Sequence, residues 1–192
     1  MNEQQLPKVK YTEFERTYER ILEWFFSYPQ EETSLSDLCT HADVSRTTGR
    51  TIVLHLQKKG FLEVRPLGKT WKIRANSEHE YFITKKIPSN LHYIYESGII
   101  DWVKKNIPQG RNIILFGSYR RGEDTQDSDI DIAVETVEDQ TLKIHILLLP
   151  ELRYRKTIEV NIHIFSKKRV NINLFNSIAN GIVLDGFLEV HL

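Results

Sequence analysis

Leu115-Phe116-Gly117-Ser118-Tyr119-Arg120-Arg121-Gly122 leads through a short polar connection into Ser128-Asp129-Ile130-Asp131-Ile132-Ala133-Val134. Chemically this is an apolar strand, a Gly-Ser turn, a polar link with a second glycine, and a second apolar strand carrying two carboxylates. Asp129 and Asp131 stand two apart, so an extended strand points both to one face. Two carboxylates facing one way repel each other unless a cation joins them. Mg²⁺ suits such a pair, since it is usually held by one or two carboxylates together with substrate phosphates. Gly117 and Gly122 let backbone N–H groups come close to an anion, and Ser118 adds a hydroxyl donor. One strand end is thus equipped for a triphosphate and a metal together. The bland alternative is a tight turn followed by a solvated acidic strand.

Gly117-Ser118, ten intervening residues, then Asp129-Ile130-Asp131 resembles the signature of the DNA polymerase beta-like nucleotidyltransferases, and the short form is similar to the minimal nucleotidyltransferases of prokaryotes. The resemblance covers roughly the C-terminal half. It implies a mixed sheet flanked by helices, NTP as substrate, and Mg²⁺ or Mn²⁺ at Asp129 and Asp131. It also implies phosphate contacts from Gly117, Ser118 and their neighbours Gly122 and Ser128, and a third carboxylate from an adjoining strand. The stretch 158–165 alternates cleanly, and Glu159 is its only carboxylate, so Glu159 is expected to complete the metal and catalytic set. An acid standing two residues before His163 would instead fall where Asn161 is, leaving Glu159 about 6–7 Å along the strand. Arg120 and Arg121 follow Ser118 in an expected first helical turn. Either suits a phosphate, and both also read as solvated arginines.

The whole chain has 192 residues, room for one large or two small domains. Hydrophobic residues at 40% and charged ones at 27% are ordinary for a globular protein with real cores. The formal net charge is zero, so any affinity for nucleic acid must come from a local patch. Cys39 is the single cysteine; no intrachain disulfide can form, and it reads as a small core residue. No apolar run is long enough for a membrane span and the polar N-terminus is no signal peptide, so a cytoplasmic protein without membrane contact is expected.

Such a patch lies in the N-terminal half. Residues 1–10 read as frayed. Phe14, Tyr18, Ile21, Leu22 and Phe25 fall at helical spacing up to Tyr28-Pro29. A short helix follows from Ser34 or Ser36 to about Ala42, then a third capped by Ser45 and stopped at Lys58-Lys59-Gly60. Residues 61–64 and 70–74 form a hairpin across Pro66 and Gly68. Three helices and a hairpin resemble a winged helix-turn-helix over about residues 11–75. Between His41 and Ala75 eight cations face two anions, an excess of six. The resemblance implies DNA contacts from Ser45, Arg46, Thr47, Thr48 and Arg50 at the start of the third helix, and from Arg65, Lys69 and Lys72 on the wing. A protein-docking module with a solvated basic face is the alternative.

The expected domains are a winged helix-turn-helix over residues 1–80, a linker or returning strand over 81–90, and a nucleotidyltransferase domain over 91–192. In the last, one helix is expected over residues 91–106 with Asn90 as its N-cap. Residues 135–157 fit a helix on Leu142, Ile146 and Leu149, or a strand on Leu142, Ile144, Ile146 and Leu148; the helix is favoured. A short helix over 171–180 and a terminal hairpin on Asp185-Gly186 close the chain. The implied activity transfers a nucleoside monophosphate from NTP to a protein or nucleic-acid acceptor. The rival reading is a DNA-binding regulator whose second domain has lost catalysis and only senses nucleotide or mediates assembly; under either reading a homodimer is open, since helix-turn-helix proteins often work as dimers.

Overall fold

Tyr18, Ile21, Leu22 and Phe25 recur three and four residues apart and make one apolar stripe, over which α1 (Glu13–Ser27) forms. Phe14, one turn earlier, is exposed. The structure is a computed structural model that describes residues 13–189; the expected fraying of residues 1–10 lies outside them. Contacts divide the chain into one unit up to Phe25 and from Gln30 to Asn76, and a second from Phe26 to Pro29 and from Ser77 onward.

In the first unit, β1 (Glu32–Thr33) precedes α2 (Leu35–His41), α3 (Arg46–Lys58) and the hairpin of β2 (Leu62–Leu67) with β3 (Thr70–Ala75). The sheet runs in the order β1-β3-β2, all antiparallel. Ser34 and Ser45 cap α2 and α3 by accepting from the Asp37 and Thr48 amides, which fixes where each helix begins. Ile21, Phe25, Leu38, Ile52, Leu56, Phe61 and Ile73 form the core. Gly49 faces α2, and a Cβ there would overlap the Cys39 sulfur, so a hydrogen at this point decides how closely α3 seats on α2.

The second unit holds α4 (Tyr81–Thr84), α5 (Lys86–Glu96) and α6 (Ile99–Asn106) ahead of a five-stranded sheet. Its members are β4 (Asn112–Phe116), β5 (Ile130–Glu135), β6 (Lys143–Leu152), β7 (Arg155–Phe165) and β8 (Ile182–Gly186). The five-residue α7 (Gly117–Arg121) follows β4, and α8 (Ile172–Ala179) precedes β8. The order is β6-β7-β5-β4-β8, with β5 and β7 parallel and the other pairs antiparallel. β4 is buried on both faces, as the unbroken apolar run 113–116 requires, and β5 is buried except at the partly exposed Asp131. On one face Leu115, Ile130, Ile132, Ile158, Val160 and Ile162 pack with Ile94, Ile99 and Val103 of the helices. On the other, Ile114, Phe116, Ala133 and Phe165 pack under Ile178 of α8.

Four expectations are corrected. The stretch 81–90 is neither linker nor strand, because α4 and the first half of α5 occupy it. Asn90 is no N-cap; it is fully buried inside α5, and the expected single helix is two, broken at Gly98, whose φ of 78° leaves the helical region. Residues 143–152 are strand β6, because pairing with β7 from Lys143↔Ile164 to Leu152↔Arg155 satisfies their backbone. Helical periodicity competed there because this edge strand leaves Ile144, Ile146 and Leu148 largely exposed. The terminal hairpin is a single strand, β8, paired with β4; residues 187–189 are not strand and Val190 lies outside the described residues. No helix among the described residues is long and apolar enough to cross a membrane.

Overpacking at the α2–α3 contact tests how the first unit is spaced. Gly49→Ala should lower stability by about 1–3 kcal/mol in chemical denaturation. Adding Cys39→Ala should recover most of the loss; a neutral Gly49→Ala would show that the contact does not set the helix spacing.

Candidate functional site

The strand register builds the centre of the second unit. Asp131 stands beside Phe116 of β4 on one side and Asn161 of β7 on the other. Residues paired across a sheet share a face, so Asp129, Asp131, Asn161 and His163 face the same way. His163 Nε2 lies 3.2 Å from Asp131 Oδ1, and its ring packs edge-on to Phe116. Asn161 Nδ2 makes a long 3.5 Å contact with Asp129 Oδ2. Glu159 is exposed, and continuing the parallel register one step before Ile130↔Val160 sets it level with Asp129. The residue opposite Asp131 is therefore the Asn161 carboxamide.

Gly117 adopts φ 73°, and a Cβ there would stand 2.5 Å from Asp131 Oδ2. Only glycine lets the turn into Ser118 lie directly against that carboxylate. Gly122 also has φ 73°, but it is the C-cap of α7, pressed against the Phe82 carbonyl, and its small size serves packing. Arg121 is committed to Glu123 at 2.6 Å. Arg120 has no carboxylate within ion-pair distance among the described residues, and its buried Nε has no hydrogen-bond partner. Of the two candidate arginines, Arg121 is thus ion-paired and Arg120 is not. Ser128 Oγ accepts from the Thr125 amide at 2.9 Å, so its hydroxyl braces the loop ahead of Asp129.

That loop is held from beneath by groups the sequence did not flag. Lys86 and Asp124 form a buried ion pair at 3.2 Å, and Lys86 also donates to the Asp124 carbonyl. Asn90 donates to Asp124 Oδ1 and to the Tyr119 carbonyl, each at 2.9 Å, and accepts from Arg153 at 2.7 Å. Arg155 donates to Tyr119 Oη and, at 2.6 Å, to the carbonyl of Ser128, the peptide just before Asp129. Burial pulls the Lys86 ammonium down to about 8 against the opposing pull of Asp124, while Arg153 and Arg155 lower it further. Burial pushes the Tyr119 phenol up to about 12, with Asp124 adding to the shift. The signal available in sequence was Lys86 and Asn90 on the apolar side of a helix.

Among the described residues no three His, Cys, Asp or Glu side chains converge as a metal cage. Two carboxylates and a carboxamide oxygen are nonetheless the hard donors Mg²⁺ accepts when phosphates and water fill the remaining positions. Asn161 turns its Nδ2 to Asp129, and a cation bound between them would favour the flipped amide with its oxygen facing the site.

In the first unit, Arg46, Thr47, Arg50, Lys69, Thr70 and Trp71 line a groove with Leu35. The Arg50 guanidinium lies 5.3 Å from the centre of the Trp71 ring. Ser45 and Thr48 are joined at 2.8 Å in the α3 cap. Arg65 and Lys72 share Glu32 at 2.8 and 3.0 Å, an acid that precedes the basic stretch 41–75 in sequence. Among the described residues, the groove cations without a carboxylate partner are Arg46, Arg50 and Lys69.

A family model described as a nucleotidyltransferase domain matches residues 96–180, from the end of α5 through α8. No curated protein matches the chain. The matched stretch holds the Gly117-Ser118 turn and both aspartates.

The buried pair gives a pH signature. Between pH 8 and 10 the folded protein has released the Lys86 proton that the unfolded chain still holds, so stability rises with pH in this window. Above pH 10 Tyr119 acts oppositely, since the fold retains a proton the unfolded chain loses. Thermal melts should show the rise between pH 8 and 10 in the wild type and its loss in Lys86→Met/Asp124→Asn. Equal slopes would remove Lys86 as the titrating group.

Proposed function

We propose that the second unit is a metal-dependent nucleotidyltransferase that moves a nucleoside monophosphate from an NTP to an acceptor hydroxyl. The observation that carries this is the Gly117 turn lying against Asp131. Amides and a hydroxyl suited to phosphate would stand beside a carboxylate, and a phosphate bound there would be repelled by it unless a cation joined the two anions. Asp129 and Asp131 would hold the metal with Asn161 beside them, and Gly117, Ser118 and Arg120 would hold the phosphates. A bound Mg²⁺ or Mn²⁺ would neutralise the phosphates and lower the acceptor's pKa. The acceptor oxygen forms its bond to the α-phosphorus as the bond to the leaving pyrophosphate breaks, and the acceptor proton passes to a carboxylate at the Asp129–Glu159 edge. His163 orients Asp131 through its 3.2 Å contact. A partner protein fits as acceptor, as does nucleic acid.

The Asn161 carboxamide opposite Asp131 favours a second reading, a regulator that binds NTP without efficient turnover. One experiment weighs both: incorporation from α-labelled NTP with Mg²⁺. Asp129→Ala with Asp131→Ala should abolish transfer, and unchanged incorporation would remove these residues from the mechanism. Asn161→Asp should raise turnover by about 10²-fold if a third carboxylate is what the site lacks. A wild type that binds NTP and transfers nothing, rescued by Asn161→Asp, would establish the regulator.

The first unit reads as a winged helix-turn-helix that binds DNA through the start of α3 and the β2–β3 hairpin. Arg46, Arg50 and Lys69 along one groove support this reading. Arg50→Ala should weaken DNA binding by about 1–3 kcal/mol in a salt-titrated shift assay. An unchanged affinity would turn the groove over to a protein partner.

A further inference from the structure

A cleft of about 290 Å³ separates α7 from α8, with Gly117, Arg120 and Arg121 on one wall and Asn176, Ser177 and Asn180 on the other. The α8 wall is made of residues outside the Gly-Ser turn and the carboxylates. Its placement is firm. Ile178 is buried against the sheet, and Gly181 passes so close to β4 that a Cβ there would stand 2.7 Å from the Leu115 carbonyl oxygen. Since α7 follows β4 directly, the same strand positions both walls.

The composition of α8 is the unusual part. Ile-Asn-Leu-Phe-Asn-Ser-Ile-Ala contains no charged residue, whereas the outer face of a surface helix ordinarily carries several. What faces the cleft is carboxamide and hydroxyl, groups that donate to an anion without a carboxylate to repel it. The Asn176 side chain makes no hydrogen bond among the described residues, and Asn180 Nδ2 is turned back onto the Asn176 carbonyl at 2.8 Å. Ser177 Oγ lies 3.2 Å from the Asn173 carbonyl, a contact that rotation of the hydroxyl exchanges for a phosphate oxygen. Across the cleft stands Arg120, with its buried and unpartnered Nε. The volume is at the bottom of the range for ligand pockets, roughly 300–1,000 Å³, and no aliphatic or aromatic side chain lines it. Such a space suits a polyphosphate tail better than a nucleobase.

We infer that Asn176 and Ser177 form the second wall of a polyphosphate cleft and, opposite Arg120, grip the terminal phosphates of a nucleoside triphosphate. This rests on the nucleotide-binding reading above. It makes the site selective for triphosphate over monophosphate through residues outside the Gly-Ser turn and the aspartates.

Calorimetric titration of the full chain with Mg²⁺·ATP and with AMP tests it. Asn176→Ala should weaken ATP binding about tenfold, and Ser177→Ala by less. Asn176→Asp should weaken it more than Asn176→Ala, because it sets a negative charge against the phosphates. AMP affinity should stay within about twofold in all three, since AMP lacks the phosphates the wall would hold. Both side chains are exposed, so the fold tolerates the changes. Wild-type ATP affinity in the variants would overturn the inference, as would equal losses for ATP and AMP. A wild type that binds no nucleotide would fail the underlying reading itself, an outcome distinct from variants that bind normally.

Discussion

The turn at Gly117 lies directly against the Asp131 carboxylate, with no room for a Cβ between them. The second unit is organised around that contact. Gly117 permits it, Asp131 is half of it, and β4 and β5 pair so that Phe116 and Asp131 stand side by side. The parallel β5–β7 register then decides which side chain meets Asp131 from the far side. A slip of one residue would send Asn161 and His163 to the opposite face and bring Ile162 to the carboxylates. The buried isoleucines of β7 forbid that slip, because they would be turned out of the core. Chemistry on one face is thus fixed by hydrophobic burial on the other.

The connection from Gly122 to Ser128 has little apolar content to hold it, and a buried polar network does so instead. Burying Lys86 and Asp124 costs solvation that their attraction only partly offsets. The network is satisfied from several sides, with Asn90 and Arg153 completing hydrogen bonds around Asp124 and Arg155 fixing the Ser128 carbonyl. A network of this kind contributes less to net stability than to holding one arrangement of the loop. Arg153 supports the same point: it sits at φ 56°, strained for a non-glycine, in the turn between β6 and β7.

The legible parts of the sequence were those with a strong local signal. Alternation located β7, unbroken apolarity located β4, an apolar run bearing two carboxylates located β5, and serine caps located α2 and α3. Asp129 and Asp131 were visible because spacing alone puts two carboxylates on one strand face. What was hidden depended on partners far along the chain. β6 shows helical periodicity equally well, and only its pairing with β7 decides the matter. Asn90 looked like a cap because asparagine favours caps, yet burial between Tyr119, Asp124 and Arg153 gives it another task. Glu32 is missed by a charge count over the basic stretch because it joins that sheet from β1, before α2.

Charge pairing separates structural cations from available ones in both units. Glu32 takes Arg65 and Lys72, Glu63 takes Arg74, and Glu123 takes Arg121. Exposed pairs of this sort are worth little in stability, with a median of about 0–1 kcal/mol. Their consequence is positional, since a guanidinium already held by a carboxylate must give up that bond to reach a phosphate. Arg46, Arg50 and Lys69 in one unit, and Arg120 in the other, face no such competition among the described residues. Formal neutrality of the whole chain therefore hides a groove in one unit with three cations free of carboxylate partners and, in the other, one such arginine beside the Gly117 turn.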